Sequence, residues 1–160
     1  MKTLQELFEH QLKDLYNAES QLVEALPKVI EHTNDSSLKA AFEEHLQETK
    51  EHKKRIEAIC DNLDIAPNGE TCKAMKGLIS EAESFMEEAE DEDLMDVGLI
   101  AGGQRIEHYE ISGYGTAVRF AKELGLHDTA AILQKTLDEE YKADQKLNKI
   151  AESRLNQKAV

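Results

Sequence analysis

Hydrophobic residues recur every three or four positions through four long segments of the chain, and two-residue alternation is nearly absent. The longer period brings side chains to one face of an α-helix, whereas alternation would indicate a β-strand. The pattern therefore predicts an all-α protein in which four long helices each bury one stripe. Typical stripe residues, three from each segment in chain order, are Leu12, Leu15, Leu22, Leu38, Phe42, Ile56, Leu99, Ile106, Ala117, Leu133, Leu137 and Leu147.

Polar residues mark the ends of the first two helices. Thr3 followed by Glu6 forms a capping box at the start of the first helix. The polar turn that follows this helix offers Ser36 or Ser37 as the N-cap of the second. So short a link predicts that the two helices are antiparallel neighbours.

The segment 64–91 differs from the rest, because it opens with the helix-breaking run IAPNGETC and then carries only a short amphipathic stretch. We interpret it as a long crossover that contains a short extra helix. Gly125 is expected to end the third long helix. The chain is thus predicted to form one domain over residues 1–160, a four-helix bundle with helix pairs at about 3–63 and 92–157.

Composition narrows the class of partner. The 160 residues carry a net charge of -14, which opposes nucleic acid and anionic membranes, because phosphate binding needs clustered Lys and Arg. No run of 18 apolar residues and no signal peptide is visible, so a cytoplasmic protein is expected. Cys60 and Cys72 are too few for a disulfide framework and match no zinc spacing, which favours free thiols.

Each long helix carries a carboxylate in the middle of its apolar stripe. These acids are Glu19, Glu48, Glu110 and Glu140, and each lies 12 to 14 residues from the turn that joins its helix pair. Residues at matched depth on antiparallel helices meet, so we expect all four at one level of the bundle. A single acid at the edge of a stripe would simply reach water, but coincidence on four helices favours a shared site.

Further ligand candidates lie within about one turn of these carboxylates. Glu107 precedes the acid of the third helix, and His52 and Asp144 follow the acids of the second and fourth helices by four residues. Like charges brought together in a bundle need cations among them. Carboxylate oxygens with one or two imidazoles suit iron or manganese better than a structural zinc. The predicted cofactor is a pair of iron or manganese ions, which would offset about four negative charges.

Four segments of the chain carry a resemblance to a known family. They are LYNAESQLVEALPK (15–28), AAFEEHLQET (40–49), IEHYEISGYGT (106–116) and LDEEYKADQKL (137–147). Through them the chain resembles the YciE/YciF family of ferritin-like bacterial stress proteins. The resemblance implies a ferritin-like bundle, a homodimer and a di-iron-type centre. Carried over by position, the implied ligands are Glu19, Glu48, Glu107 or Glu110, Glu140 and Asp144.

The nitrogen ligands stay open at this point. The Glu-x-x-His pattern of the wider ferritin-like superfamily does not occur in this sequence. His45 and His52 are the histidines near the acid of the second helix, and His108 lies beside Glu107. A lone helix histidine is more often a surface or packing residue than a ligand.

The first functional hypothesis is a non-haem oxidoreductase or peroxidase, in which two iron or manganese ions react with dioxygen or hydrogen peroxide. In it Glu19 and Glu140 are terminal ligands, and Glu48 and Glu110 bridge the ions. A second hypothesis is iron binding or storage without turnover. A third is a metal-free interaction module, in which the acids pair with lysines or accept hydrogen bonds. Few basic residues lie on the inward stripes, which counts against the third.

Overall fold

Helices account for all the regular structure in the part of the chain that the computed structural model describes, residues 1–159 without the side chains of 154–156. The prediction of an all-α protein is confirmed. None of the described helices is long and apolar enough to cross a membrane. The helices are α1 (Leu4–His32), α2 (Ser36–Asn62), α3 (Lys73–Glu88), α4 (Glu92–Glu123), α5 (His127–Ile150) and, after a π-helical turn at Ala151–Leu155, α6 (Asn156–Lys158).

The starts of α1 and α2 are fixed by side-chain caps. Thr3 caps α1 as predicted, since its hydroxyl accepts a hydrogen bond from the backbone N–H of Glu6 at 3.1 Å. The prediction of Ser36 or Ser37 as the N-cap of α2 is wrong. Asp35 takes that position, and its carboxylate accepts from the backbone N–H groups of Ser37 and Leu38 at 2.9 and 3.0 Å. A carboxylate also favours the positive end of the helix dipole, which a hydroxyl does not.

Gly125 ends α4 and turns the chain into α5. Its φ of 73° lies in the left-handed region that glycine adopts without strain. The backbone N–H of Leu126 donates to the carbonyl of Ala121 at 2.8 Å, and that of Gly125 donates to Lys122 at 3.0 Å. These two bonds form a Schellman motif, and Leu126 packs on the adjoining core.

The long helices form a square of antiparallel neighbours. Helix α1 packs against α2 and α4, and α5 packs against α4 and α2. Both carboxylate oxygens of Asp96, near the start of α4, accept from the backbone N–H groups of Asn34 and Asp35 at 2.8 Å. The start of α4 is therefore pinned to the α1–α2 turn, at the end of the bundle opposite to the end of α2. The crossover spans that length, and α3 within it packs against α1 and α4.

The apolar core is divided into two clusters along the bundle axis. One contains Leu15 of α1 and Ile56 of α2, and the other contains Leu22 of α1 and Phe42 of α2. The same division occurs on α4 and α5, where Tyr114 and Leu137 belong to the first cluster and Ile100 and Leu147 to the second. Between these positions, inward-facing polar side chains from all four long helices form a buried polar layer.

Candidate metal centre

The buried polar layer holds four carboxylates and two imidazoles. Glu19, Glu110 and Glu140 are completely buried, and Glu107 is only 2% exposed. His45 and His52 of α2 are 6% and 1% exposed. Each long helix contributes at least one of these six side chains, so the layer is a convergence of the whole bundle.

The six side chains form two groups that share one member. His45, Glu107, Glu110 and Glu140 each offer a nitrogen or oxygen atom, and these atoms lie within 4.8 Å of one another. Glu19, His52 and Glu140 form the second such group. Each group is the right size to surround one metal ion, and Glu140 belongs to both.

Glu48 was expected to point inward, but it lies at the edge of the buried layer. Seven of the nine buried positions of α2 are spaced alternately by four and three residues, and Glu48 falls one position off that series. Its side chain is 35% exposed and lies at the rim of the layer. Thr49, with no exposure, occupies the inward position instead. The series runs Leu38, Phe42, His45, Thr49, His52, Ile56 and Ile59.

Asp144 also lies outside the two groups. Its side chain is 21% exposed, and Oδ1 accepts a hydrogen bond from Gln104 at 3.2 Å. The same oxygen lies 3.2 Å from Nε2 of His108, whose side chain is 69% exposed. His108 is therefore a surface residue, and α5 contributes Glu140 alone to the buried groups.

Most of the polar atoms in this layer have no hydrogen-bond partner within the protein. Among the described residues, ten buried side-chain nitrogen and oxygen atoms have no hydrogen-bond partner, and all ten lie in this layer. Both oxygens of Glu110 and of Glu140 and both nitrogens of His45 are among them. Nδ1 of His52 lies 2.9 Å from Glu140 and 3.4 Å from Glu19, but the direction of a ring N–H does not fit either as a hydrogen bond. Nitrogen and oxygen atoms without other partners thus converge at one place, as ligand atoms do around a cation.

Neighbouring side chains orient two members of the layer. Nε2 of His52 lies 3.0 Å from Oε2 of Glu139, which also accepts from the guanidinium of Arg55. If a cation displaced the proton on Nδ1, a proton kept on Nε2 by Glu139 would leave the lone pair of Nδ1 directed at Glu19 and Glu140. The hydroxyl of Tyr114 donates to Oε1 of Glu19. Both contacts resemble the outer hydrogen bonds that hold metal ligands in place.

In the metal-free layer, protons take the place of cations. Burial, followed by the charge of nearby carboxylates, raises the pKa of Glu107 and of Glu110 well above the ordinary value. Burial alone would lower the pKa of His52, but Glu140 and Glu19 raise it to about 11. Burial opposes ionisation of Glu140, yet contact with His52 lowers its pKa overall. Among the four buried carboxylates, Glu140 is the one whose pKa is lowered, and it lies where the two groups meet.

Sequence reasoning missed several residues of this site. Thr49, Glu139 and Arg55 were not singled out, and His45 was only one of three open histidines. The alternating spacing along α2 carries a signal for His45 and Thr49, because it places them on the apolar stripe. No comparable signal marks Glu139, since its role depends on Arg55 of another helix.

A four-helix bundle with one long crossover and a carboxylate-histidine layer at mid-height is the class that the fold and the site define. Residues 3–160 match the family described as a domain of unknown function, DUF892. The chain belongs to this family.

Relatives of known structure agree with this assignment. The chain is 41% identical to Protein YciF of Escherichia coli strain K12 over 162 residues, which cover 99% of the chain and 96% of YciF. The crystal structure of that E. coli stress protein matches with a TM-score of 0.93 and 39% identity, covering 98% of this chain and 99% of YciF. The resemblance to the YciE/YciF family is confirmed.

Two further solved structures share the fold. YcfI of Rhodopseudomonas palustris, described as a candidate structural protein, matches with a TM-score of 0.90 and 38% identity over 92% of this chain and 94% of its own. A Xanthomonas campestris protein matches with a TM-score of 0.72 over 98% of this chain and 99% of its own. At 17% identity the latter shows the fold alone.

Proposed function

We propose that this chain binds two iron or manganese ions in the buried layer and reacts there with a small oxidant, dioxygen or hydrogen peroxide. One ion would be held by His45, Glu107, Glu110 and Glu140. The other would be held by Glu19, His52 and Glu140. In this assignment the bridging ligand is Glu140, the residue common to both groups, and not Glu48.

The observation that supports the proposal is the set of ten buried side-chain atoms without hydrogen bonds, all within one layer of the described chain. A buried polar atom without a partner costs about 1–3 kcal/mol, and more when it is charged. A fold would not collect so many at one place without a compensating interaction. Two divalent cations would neutralise the four buried carboxylates, Glu19, Glu107, Glu110 and Glu140.

The donor set also fits the type of metal. It consists of carboxylate oxygens and imidazole nitrogens, and the two cysteines lie in the apolar clusters instead. Iron and manganese accept such mixed oxygen and nitrogen ligands, whereas structural zinc sites favour thiolates. The homodimer that the family resemblance implies and the cytoplasmic location remain predictions.

The residues around the layer perform separate tasks in this proposal. A pair of redox-active ions can exchange electrons with a bound oxidant, which the side chains alone cannot do. Tyr114 and Glu139 fix the orientation of Glu19 and His52, so that the ligands are in place before the ions bind. The two apolar clusters close the layer off from water at both of its ends along the bundle axis.

Metal stoichiometry in a set of variants tests the proposal. Elemental analysis after anaerobic loading with Fe²⁺ or Mn²⁺ should give two ions per chain in the wild type. Glu140→Gln should weaken both sites, because it touches both groups, whereas Glu19→Gln and Glu107→Gln should each weaken one. Asp138→Asn is the matched control, since Asp138 is an exposed acid of the same helix as Glu140 and should leave two ions bound.

Two results separate the functions. A wild type that binds no metal, or a Glu140→Gln variant that keeps both ions, would contradict the proposed site. Catalytic consumption of hydrogen peroxide or dioxygen by the loaded protein with an added reductant supports the redox function. Uptake of iron with one stoichiometric oxidation and no turnover would instead support iron binding or storage.

A further inference from the structure

A cavity leads from the surface between α2 and α5 to the buried layer. Its volume is about 90 Å³, several times the roughly 10–15 Å³ that one water molecule needs on this measure. Its inner wall includes His45 and Glu107, and its outer wall includes Glu48, Glu44 and Lys146. The cavity thus connects the rim of the bundle with the group of ligands around Glu107.

His45 spans the wall between the cavity and the layer. Its Nε2 lies 3.1 Å from Oε1 of Glu107, and its Nδ1 lies 3.9 Å from Oε2 of Glu48. Neither nitrogen makes a hydrogen bond, although only 6% of the residue is exposed. The ring therefore faces a carboxylate on each side, one at the rim and one inside.

The mouth of the cavity is bridged by an ion pair. Nζ of Lys146 on α5 contacts Oε2 of Glu44 on α2, and both side chains are substantially exposed. This pair neutralises two of the charges at the mouth. Glu48, one turn further along α2, has no Lys or Arg partner among the described residues and keeps its charge free for another cation.

We propose that this cavity is the route by which metal ions reach the buried layer, and that Glu48 is the carboxylate that receives them from solvent. The ion then passes to His45 and Glu107. This inference rests on the proposed function, because it assumes that the layer binds metal. It assigns Glu48 a role in uptake and not in the final site.

The distribution of charge supports this direction of travel. At the mouth, Glu44 is paired with Lys146, so Glu48 is the first acid on the way inward that has no Lys or Arg partner among the described residues. Beyond His45, the carboxylates of Glu107, Glu110 and Glu140 lie close together. Acids that line a narrow cleft attract cations and raise association rates by about 10 to 1,000-fold when the lining carries one sign of charge. Lys142 and Lys146 also line this cavity, so the effect of Glu48 is expected at the lower end of that range.

The rate of Co²⁺ uptake by the metal-free protein tests the route. Co²⁺ serves as the probe, because its visible absorption reports binding directly in a stopped-flow instrument. Glu48→Gln should slow uptake about tenfold, at the lower end of the range for electrostatic attraction, and should leave the final stoichiometry at two ions. Glu48→Asp should restore most of the rate. Glu43→Gln, an exposed acid on α2 that does not line the cavity, should match the wild type.

The two claims fail in different ways. Equal uptake rates for Glu48→Gln and the wild type would overturn the route while leaving the buried site intact. Loss of a bound ion at equilibrium in Glu48→Gln would show that Glu48 is a ligand, which also overturns the inference. A wild type that takes up no Co²⁺ would contradict the proposed function and the route together.

Discussion

At the scale of single residues, the properties of the layer depend on side chains that touch it from outside. His52 has one nitrogen toward Glu19 and Glu140 and the other toward Glu139, which is held by Arg55. A carboxylate on the far nitrogen fixes the tautomer of an imidazole and increases its basicity. The ability of His52 to act as a ligand therefore rests on Glu139, a residue that is only partly buried and offers no atom to either group.

Replacement of Glu139 tests this dependence. Glu139→Gln should weaken the ion held by His52 about 10 to 100-fold, as is usual for loss of such an outer hydrogen bond. The ion held by Glu107 and Glu110 should be affected much less. Titration calorimetry with Mn²⁺ measures both dissociation constants, with Asp138→Asn as the control. Two unchanged dissociation constants in Glu139→Gln would show that Glu139 pairs with Arg55 but does not support His52 as a ligand.

At the scale of helices, the stripe pattern predicted the architecture but not the rotation of each helix. The long helices and the crossover follow from hydrophobic spacing, since that spacing reports which face is buried. Glu48 and Thr49 are adjacent in sequence and therefore about 100° apart around α2. Glu48 was predicted as the inward residue because a carboxylate can bind metal. The strict alternation of four and three residues through His45, Thr49 and His52 resolves that choice.

Contacts between helices set which glycines can be replaced. Gly98 of α4 lies against Phe85 of α3, and a Cβ added there would lie 1.9 Å from Cζ of the ring. Gly77 of α3 has no atom within 4 Å of an added Cβ, so it serves as a matched site. No pattern in the sequence distinguishes these two glycines, because the difference arises from packing between α3 and α4.

The two glycines predict opposite effects on stability. Gly98→Ala should lower the free energy of unfolding by about 1–3 kcal/mol, because Phe85 must leave its place on α4. Gly77→Ala should raise it by about 0.5–1 kcal/mol through better helix propensity. Urea denaturation measures both. A stabilising Gly98→Ala would mean that α3 does not pack against α4 through Phe85.

At the scale of the whole molecule, the chain encloses part of its large negative charge. The net charge is -14, and four of the carboxylates are buried in the layer between the apolar clusters. Sequence reasoning predicted that acids from separate helices meet at mid-height, because their depths match. It did not predict the cavity between α2 and α5, since a cavity depends on the side chains of both helices together.

This enclosed charge predicts how the stability of the metal-free protein varies with pH. The raised pKa values of Glu107 and Glu110 mean that, above their ordinary pKa of 4.5, the folded state holds protons that the unfolded state has released. His52 acts in the same direction between its ordinary pKa of 6.5 and about 11. Stability should therefore fall as the pH rises through this window. The lowered pKa values of Glu139 and Glu140 add stability that is lost only below about pH 4.5.

Thermal unfolding of the chelator-treated protein measures this effect. The melting temperature should be lower at pH 8 than at pH 6, by about 2–4 °C for each kcal/mol lost. Saturating Mn²⁺ should raise it at both values and reduce the difference. Glu107→Gln should flatten the pH dependence, whereas Asp138→Asn removes an exposed acid and should not. A metal-free protein that is more stable at pH 8 would contradict the assignment of these protons.

Anomalous X-ray scattering from crystals grown with Mn²⁺ tests the central claim most directly, because it locates the metal itself. Two peaks are expected in the bundle interior. One should lie among His45, Glu107, Glu110 and Glu140, and the other among Glu19, His52 and Glu140. An anomalous map with no peak in this layer at saturating Mn²⁺, or with peaks only on surface acids, would contradict it.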